Sequence, residues 1–377
     1  MRTVQPSIVI GSYTWDQDRL PRDEFQIRLD ALHRVMVANG WQAVLIYGDA
    51  AEHAALAYFS NFTPRLRWGM ALLPRQGEPR LIAAMSPRDI PATRLMTWIE
   101  DVHSEANFKD ALDSWLAQFT GSEPFGIGAA RLDLMRPPLF QRLEKSLGHR
   151  FRLHAADAAI AACRTARPRA LSLIRAASDL VQTTAGAFVK SWRGGVGIEA
   201  AALEAERTAR LRTAQDVRML TSLDGGRTFS PFRGSFEKTA KSLAAYVAVK
   251  HMGYWADTFV SAGDGITGVQ RRTDTALDAM LRAARPGAKA TALHGHATDT
   301  IKPCTLHPVL GGSVGNRIGL SLDEGGSLTQ DSHDVLAPGD VYTLHIGAHD
   351  FAEDGAFASA MIAVTDKGYD LIHRSPM

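Results

Sequence analysis

Pro168 and the paired glycines Gly194-Gly195 bracket the longest helical pattern in the chain, Arg169 to Trp192, and divide the sequence into two differently patterned halves. Proline suits the first turn of a helix and glycine ends one, so this helix has a marked start and stop. Before it, helix and strand patterns alternate. Asp23 to Asn39 carries apolar residues at helical spacing (Phe25, Ile27, Leu29, Leu32, Val35, Met36) and stops at Asn39-Gly40. Trp41 to Tyr47 is a short apolar run of the kind a buried strand uses. Met70 to Pro74 and Pro79 to Met85 flank a turn, Arg75 to Glu78. Phe108 to Gln118 and Pro137 to Leu147 are read as helices, and Phe125 to Ala129 as a strand. This alternation predicts an α/β domain over residues 1–160.

The second half mixes helices with strands that follow one another. Ile198 to Thr213, Thr273 to Ala284 and Ala290 to Ile301 are read as helices; Ala244 to Val249, Val341 to Ile346 and Ser359 to Val364 are read as strands. That pattern predicts an α+β domain with a curved antiparallel sheet over residues 161–377. Two domains also suit a length of 377 residues, because single cores stop growing near about 250–300 residues.

Charge and composition remove several function classes. A net charge of +2, with the arginines scattered, gives no surface for nucleic acid or a membrane. No apolar run approaches the ~20 residues of a membrane span. The opening residues Met1 to Pro21 have no sustained apolar stretch, so no signal peptide is expected. Two cysteines, Cys163 and Cys304, supply neither a disulfide framework nor a metal cage, and a cytoplasmic setting is expected.

Four short motifs in the second half carry a resemblance. Gly253-Tyr254-Trp255-Ala256-Asp257 has the form GYxxD. Gly315-Asn316-Arg317-Ile318-Gly319-Leu320 has the form GHxxGL with the histidine replaced. Pro338 to His345 has the form PGxVxTxE with the glutamate replaced, and Val364 to Tyr369 has the form VTxxGY. In this order and spacing the chain resembles the creatinase/aminopeptidase P family, also called M24 or pita-bread, over nearly its whole length. The resemblance implies a creatinase-like N-terminal α/β domain, a pita-bread C-terminal domain and a homodimer.

In metal-dependent members two aspartates, a histidine and two glutamates hold two divalent ions that generate a nucleophilic water. At the matching positions this chain has Tyr246, Asp257, Asn316, His345 and Ser359, so only Asp257 remains. The resemblance therefore implies a pocket without a metal and with no cofactor. Creatinases, which work without metal, use a histidine upstream of the GYxxD strand. No histidine lies between His154 and His251 here, and the corresponding segment offers Phe229 or Phe232. Creatine is accordingly not the expected substrate.

The expected chemistry is hydrolysis or elimination at a C–N bond of a small polar molecule. His345 would be the general acid or base, since imidazole titrates near neutral pH. Asp257 would orient it or hold a cationic group, and Tyr246 and Asn316 would polarise the scissile bond. Ser359 and Phe232 would line the pocket, and Asp323 would serve as base or cation anchor. Arg67, in the loop Phe62 to Trp68, matches an arginine that in creatinase-like dimers reaches the partner's site and grips a carboxylate. Each residue also has a plain structural reading: a core histidine, a structural ion pair, packed relics, an exposed arginine, a solvated loop. Two other functions stay open. One is a non-catalytic pseudo-peptidase that binds without turnover. The other is a metallopeptidase with a rearranged metal set drawn from His294, His296, His307, His345 and His349.

Overall fold

A computed structural model of the chain describes residues 14–64, 67–121, 124–222, 226, 228–231, 242–263, 267–349 and 355–375. The chain divides into two compact units, Met1–Thr165 and Ala166–Met377.

In the first unit the order is α1 (Arg22–Asn39), β1 (Trp41–Asp49), α2 (Ala54–Ser60), β2 (Trp68–Pro74), β3 (Arg80–Ala83), α3 (Ile90–Arg94), β4 (Asp101–Ser104), α4 (Phe108–Leu116), β5 (Phe125–Ala130), α5 (Pro137–Leu147), β6 (Phe151–Ala155) and α6 (Asp157–Cys163). The six strands form one sheet in the order β4-β3-β2-β1-β5-β6. β1 pairs antiparallel with β2 and parallel with β5. Being central, β1 is buried on both faces, which is why it reads as an unbroken apolar run. Ala43, Leu45 and Tyr47 pack with Phe108, Leu112 and Trp115 of α4 and Leu139, Leu143 and Leu147 of α5. Gly40, in the left-handed region at φ 70°, caps α1 and turns the chain into β1.

The second unit opens with α7 (Pro168–Arg193) and α8 (Ile198–Leu211). There follow β7 (Asp216–Ser222), β8 (Ser230–Pro231), β9 (Ser242–His251), β10 (Tyr254–Gly263), α9 (Gly268–Ala283), α10 (Ala290–Ile301), β11 (Thr305–Leu306), β12 (Gly315–Arg317), β13 (Val341–His349), β14 (Ala356–Val364) and β15 (Tyr369–Arg374). One sheet runs β10-β9-β7-β8; the other runs β11-β13-β14-β15, with β12 also on β13. The pairings within both are antiparallel. α9 and α10 bury Ala276, Leu277, Met280, Leu293 and Ala297 against Leu344, Ile346, Ala358 and Ala360 of the second sheet. This is the pita-bread arrangement. Serines stitch the two sheets where β10 meets β14. The Phe357 amide donates to Ser261 Oγ at 3.1 Å, and the Phe259 amide donates to Ser359 Oγ at 2.9 Å.

β4, β6 and α2 are absent from the sequence reading. Asp101–Ser104 and Phe151–Ala155 are short edge-side strands with a mixed apolar and polar make-up, too brief for a periodicity to register. Ala54–Ser60 is a buried apolar segment whose pattern fits helix and strand alike.

Gly315 supports the site from below. Its φ of 148° favours glycine, and a Cβ there would run into the Thr343 carbonyl and Leu344 Cα. Gly315→Ala is expected to lower stability by about 3 kcal/mol, from backbone strain and overpacking together. A urea midpoint equal to wild type would show that β12 is not held this closely.

Candidate active site

The site grows from two strand pairs. Met252 and Gly253, at φ 48° and 87°, make a two-residue turn that joins β9 to β10. Positive φ at both centres is the turn geometry that matches strand twist. The resulting register sets Asp257 opposite Ala248 and Phe259 opposite Tyr246. Tyr246 and Asp257 are thus diagonal neighbours on one face, and small Ala248 leaves the phenol room to reach across. The Tyr246 hydroxyl donates to Asp257 Oδ2 at 2.9 Å.

β13 supplies the other two groups. Thr343 and His345 are two residues apart and share a face. Thr343 Oγ1 donates to Asp257 Oδ1 at 2.6 Å. His345 Nε2 lies 2.9 Å from Thr343 Oγ1 and 3.3 Å from Asp257 Oδ1. A hydroxyl has one proton. Since Thr343 gives its proton to the carboxylate, it can only accept from His345, so Nε2 carries the imidazole proton. Nδ1 is then the ring atom left for proton transfer, and among the described residues it has no protein partner. Phe259 meets the imidazole edge-to-face, with ring centroids 5.0 Å apart.

Asp257 is 2% exposed and His345 9%. Burial alone would raise the Asp257 carboxyl. The His345 charge and hydrogen bonds from His345, Thr343 and Tyr246 outweigh it and hold the carboxyl below its ordinary value. Desolvation and then the Asp257 charge keep the Tyr246 phenol well above its usual range, so Tyr246 is a donor and not a base.

The other expected site residues make contacts of their own. Tyr246 commits its proton to Asp257, so it holds the carboxylate and does not polarise a scissile bond. Asn316 pairs with Thr343 in register, but its Nδ2 donates to the carbonyls of Arg317 and Leu322, both at 2.8 Å. It fastens the loop that follows. Ser359 is fully buried and its hydroxyl serves Thr258 Oγ1 and the Phe259 amide, in the seam between the sheets. Asp323 is exposed and its Oδ1 accepts from the Gly325 amide two residues on, a local turn. Arg67 is exposed in the first unit and contacts Glu105 at 3.2 Å. Phe232 lies outside the described residues. Phe229 packs edge-to-face on Phe357 and Phe259, with centroids 4.9 and 5.9 Å apart, and extends an aromatic wall toward His345.

These donors do not fit a pair of divalent ions. Asp257 has both oxygens engaged, His345 Nε2 is taken, and the Ser359 hydroxyl is spent on Thr258 Oγ1 and the Phe259 amide. With Asn316 Nδ2 on backbone carbonyls, His345 Nδ1 and Asn316 Oδ1 are the ligating atoms these side chains leave, too few for two ions. His307 and His349 come together, with ring centroids 5.4 Å apart. Yet among the described residues no three His, Cys, Asp or Glu side chains converge as a metal site needs.

Thr343 is the threonine of PGxVxTxE and sits two residues before His345; strand alternation alone carries its signal in the sequence. Sequence alone does not single out His373 of β15. It is buried, with Nδ1 2.7 Å from Ser178 Oγ of α7, and its charge state responds to Asp257 and His345.

Residues 238–366 match the model of Metallopeptidase family M24. That match lies within the second unit and supports the resemblance to the M24, creatinase/aminopeptidase P-like family. No curated protein matches the sequence. Among solved structures the fold is similar to the prolidase from Pyrococcus horikoshii OT3, with a TM-score of 0.73, 15% identity, and coverage of 93% of this chain and 99% of that one. It is similar also to the X-Pro aminopeptidase from Thermotoga maritima MSB8, with a TM-score of 0.73, 18% identity, and coverage of 93% and 97%. A variant of Escherichia coli aminopeptidase P gives a TM-score of 0.69 at 13% identity over 93% and 94%. Among the described residues no helix is long and apolar enough to cross a membrane.

Proposed function

We propose that the protein is a hydrolase of small polar molecules that breaks a C–N bond without a metal ion, using His345 as its base. The observation that carries this reading is the engagement of both Asp257 oxygens by protein donors. Three donors, Tyr246, Thr343 and His345, occupy its two oxygens. A carboxylate so engaged orients an imidazole; it is not open to bind an ion. In the proposed step, His345 Nδ1 takes a proton from water as the water oxygen bonds to the carbon of the C–N bond. The imidazolium is stabilised by Asp257 at Nε2. The C–N bond then breaks, and the proton passes from Nδ1 to the departing nitrogen. The family model and the peptide-cleaving fold relatives support C–N hydrolysis as the reaction class.

The test is turnover by protein dialysed against a chelator. It is offered N-acyl amino acids, Xaa-Pro dipeptides and amidines in ¹⁸O-water, with the released amine quantified. One class is expected to turn over at a rate indifferent to the chelator, with ¹⁸O in the product. Product without ¹⁸O would mean elimination in place of hydrolysis. Turnover that disappears with chelation and returns with stoichiometric divalent metal would overturn the metal-free reading.

A further inference from the structure

The first sheet of the second unit carries a cation beside the site that neither the motifs nor the proton network uses. Arg218 of β7 pairs in register with Ala248 of β9, and Ala248 pairs with Asp257 of β10. Arg218, Ala248 and Asp257 therefore form one cross-strand row. The next row on the same face is Leu220, Tyr246 and Phe259; the preceding one is Asp216, Lys250 and Trp255. The middle member, Ala248, has no bulk, and the Tyr246 phenol crosses above it to the carboxylate, within reach of the Arg218 charge.

The guanidinium carbon of Arg218 lies over the Trp255 ring, 4.7 Å from its centroid. Its Nε is 3.5 Å from Asp216 Oδ2. Its terminal nitrogens have no partner among the described residues, and the side chain is 58% exposed. Its charge reaches Tyr246, whose phenol it acts to lower. A second cation, the Lys250 ammonium, lies 5.8 Å from the same ring centroid. Both Asp257 oxygens already accept from protein donors. The charge still open to a ligand on this face is positive, and it belongs to Arg218.

We propose that Arg218 is the anion-recognition residue of the site, and that the substrate is a small molecule bearing a carboxylate, with the C–N bond between that carboxylate and His345. This inference rests on the function proposed above for His345 and Asp257. With its carbon 4.7 Å from the Trp255 centroid and its Nε on Asp216, the guanidinium keeps two terminal nitrogens that can grip a carboxylate at two points. The anchor comes from the same subunit as His345, in contrast to Arg67 of the N-terminal unit.

The test uses protein labelled with 5-fluorotryptophan, with the Trp255 resonance assigned by Trp255→Phe. The probes are N-acetylglycine and N-acetylglycinamide, which differ in a carboxylate against a carboxamide. Wild type is expected to bind the acid about tenfold or more tightly than the amide, the difference a charge-assisted contact supplies. Arg218→Ala is expected to lose that preference with an unchanged urea midpoint, and Arg218→Lys to keep part of it. Equal binding of acid and amide, no binding of the acid, or a preference that survives Arg218→Ala would each overturn the proposal. The same titration on His345→Gln separates the two assignments. If the acid preference persists there while no substrate turns over in wild type, the chemistry fails and the anion site stands. If turnover proceeds equally for acids and amides in Arg218→Ala and wild type, the reverse holds.

Discussion

His345→Gln is expected to cost about a hundred- to ten-thousand-fold in kcat on whichever substrate class turns over, the usual contribution of a positioned proton carrier. Glutamine can still donate toward Asp257 and Thr343, so the carboxylate keeps its partners and the fold its stability. What it lacks is a basic ring nitrogen. KM for an anion-bearing substrate should move little, because the group assigned to the carboxylate is Arg218, across the row from Asp257. The check is steady-state kinetics beside a urea titration. A variant with wild-type kcat and an unmoved midpoint would remove His345 from the proton path. A large loss of stability would mean that His345 matters as packing.

The second large effect is on stability in mild acid, and its source is His373. Burial, first, pushes this imidazole down from 6.5 to about 4; the Asp257 charge and backbone oppose the shift and His345 adds to it. A group whose folded value is depressed binds a proton more readily in the unfolded chain. Its stabilising contribution is therefore complete above pH 6.5 and is lost as pH falls toward about 4. The loss across that window is about 3 kcal/mol. Asp257 acts in a separate window. Its carboxyl sits below 3.8 in the fold, so its contribution is present above that value and disappears only as pH falls further. Urea titrations at steps from pH 7 to pH 4 measure the slope. His373→Gln should flatten it, and a slope that persists in the variant would assign the acid sensitivity to other groups.

The sequence pattern carried the helices well where amphipathic spacing was long. Ala290 to Ile301 has the same limits in pattern and structure, and Arg22–Asn39 starts one residue before the pattern does. Short elements such as Phe151–Ala155 escaped, because an alternation of three apolar side chains over five residues is too brief to stand out. At the site, motif alignment brought Tyr246, Asp257 and His345 to one place, and they do meet. It could not decide which hydrogen bonds win. Asn316 and Ser359 have polar groups of the right kind, yet backbone carbonyls and an amide nearby claim them first. Thr343 and Arg218 needed strand register, since their relevance comes from which residues lie two along or two strands across.

The three donors to Asp257 come from different sheets: Tyr246 from the β9–β10 hairpin, Thr343 and His345 from β13. One carboxylate is thus a rivet between two leaves. Prising the leaves apart would strand a buried anion, so the region should open as a unit or not at all. In hydrogen exchange the amides of β10 and β13 should then lose protection together, at one common opening free energy. A change at this carboxylate would leave the serine stitches between β10 and β14 as the polar links across the leaves and lower the common opening free energy.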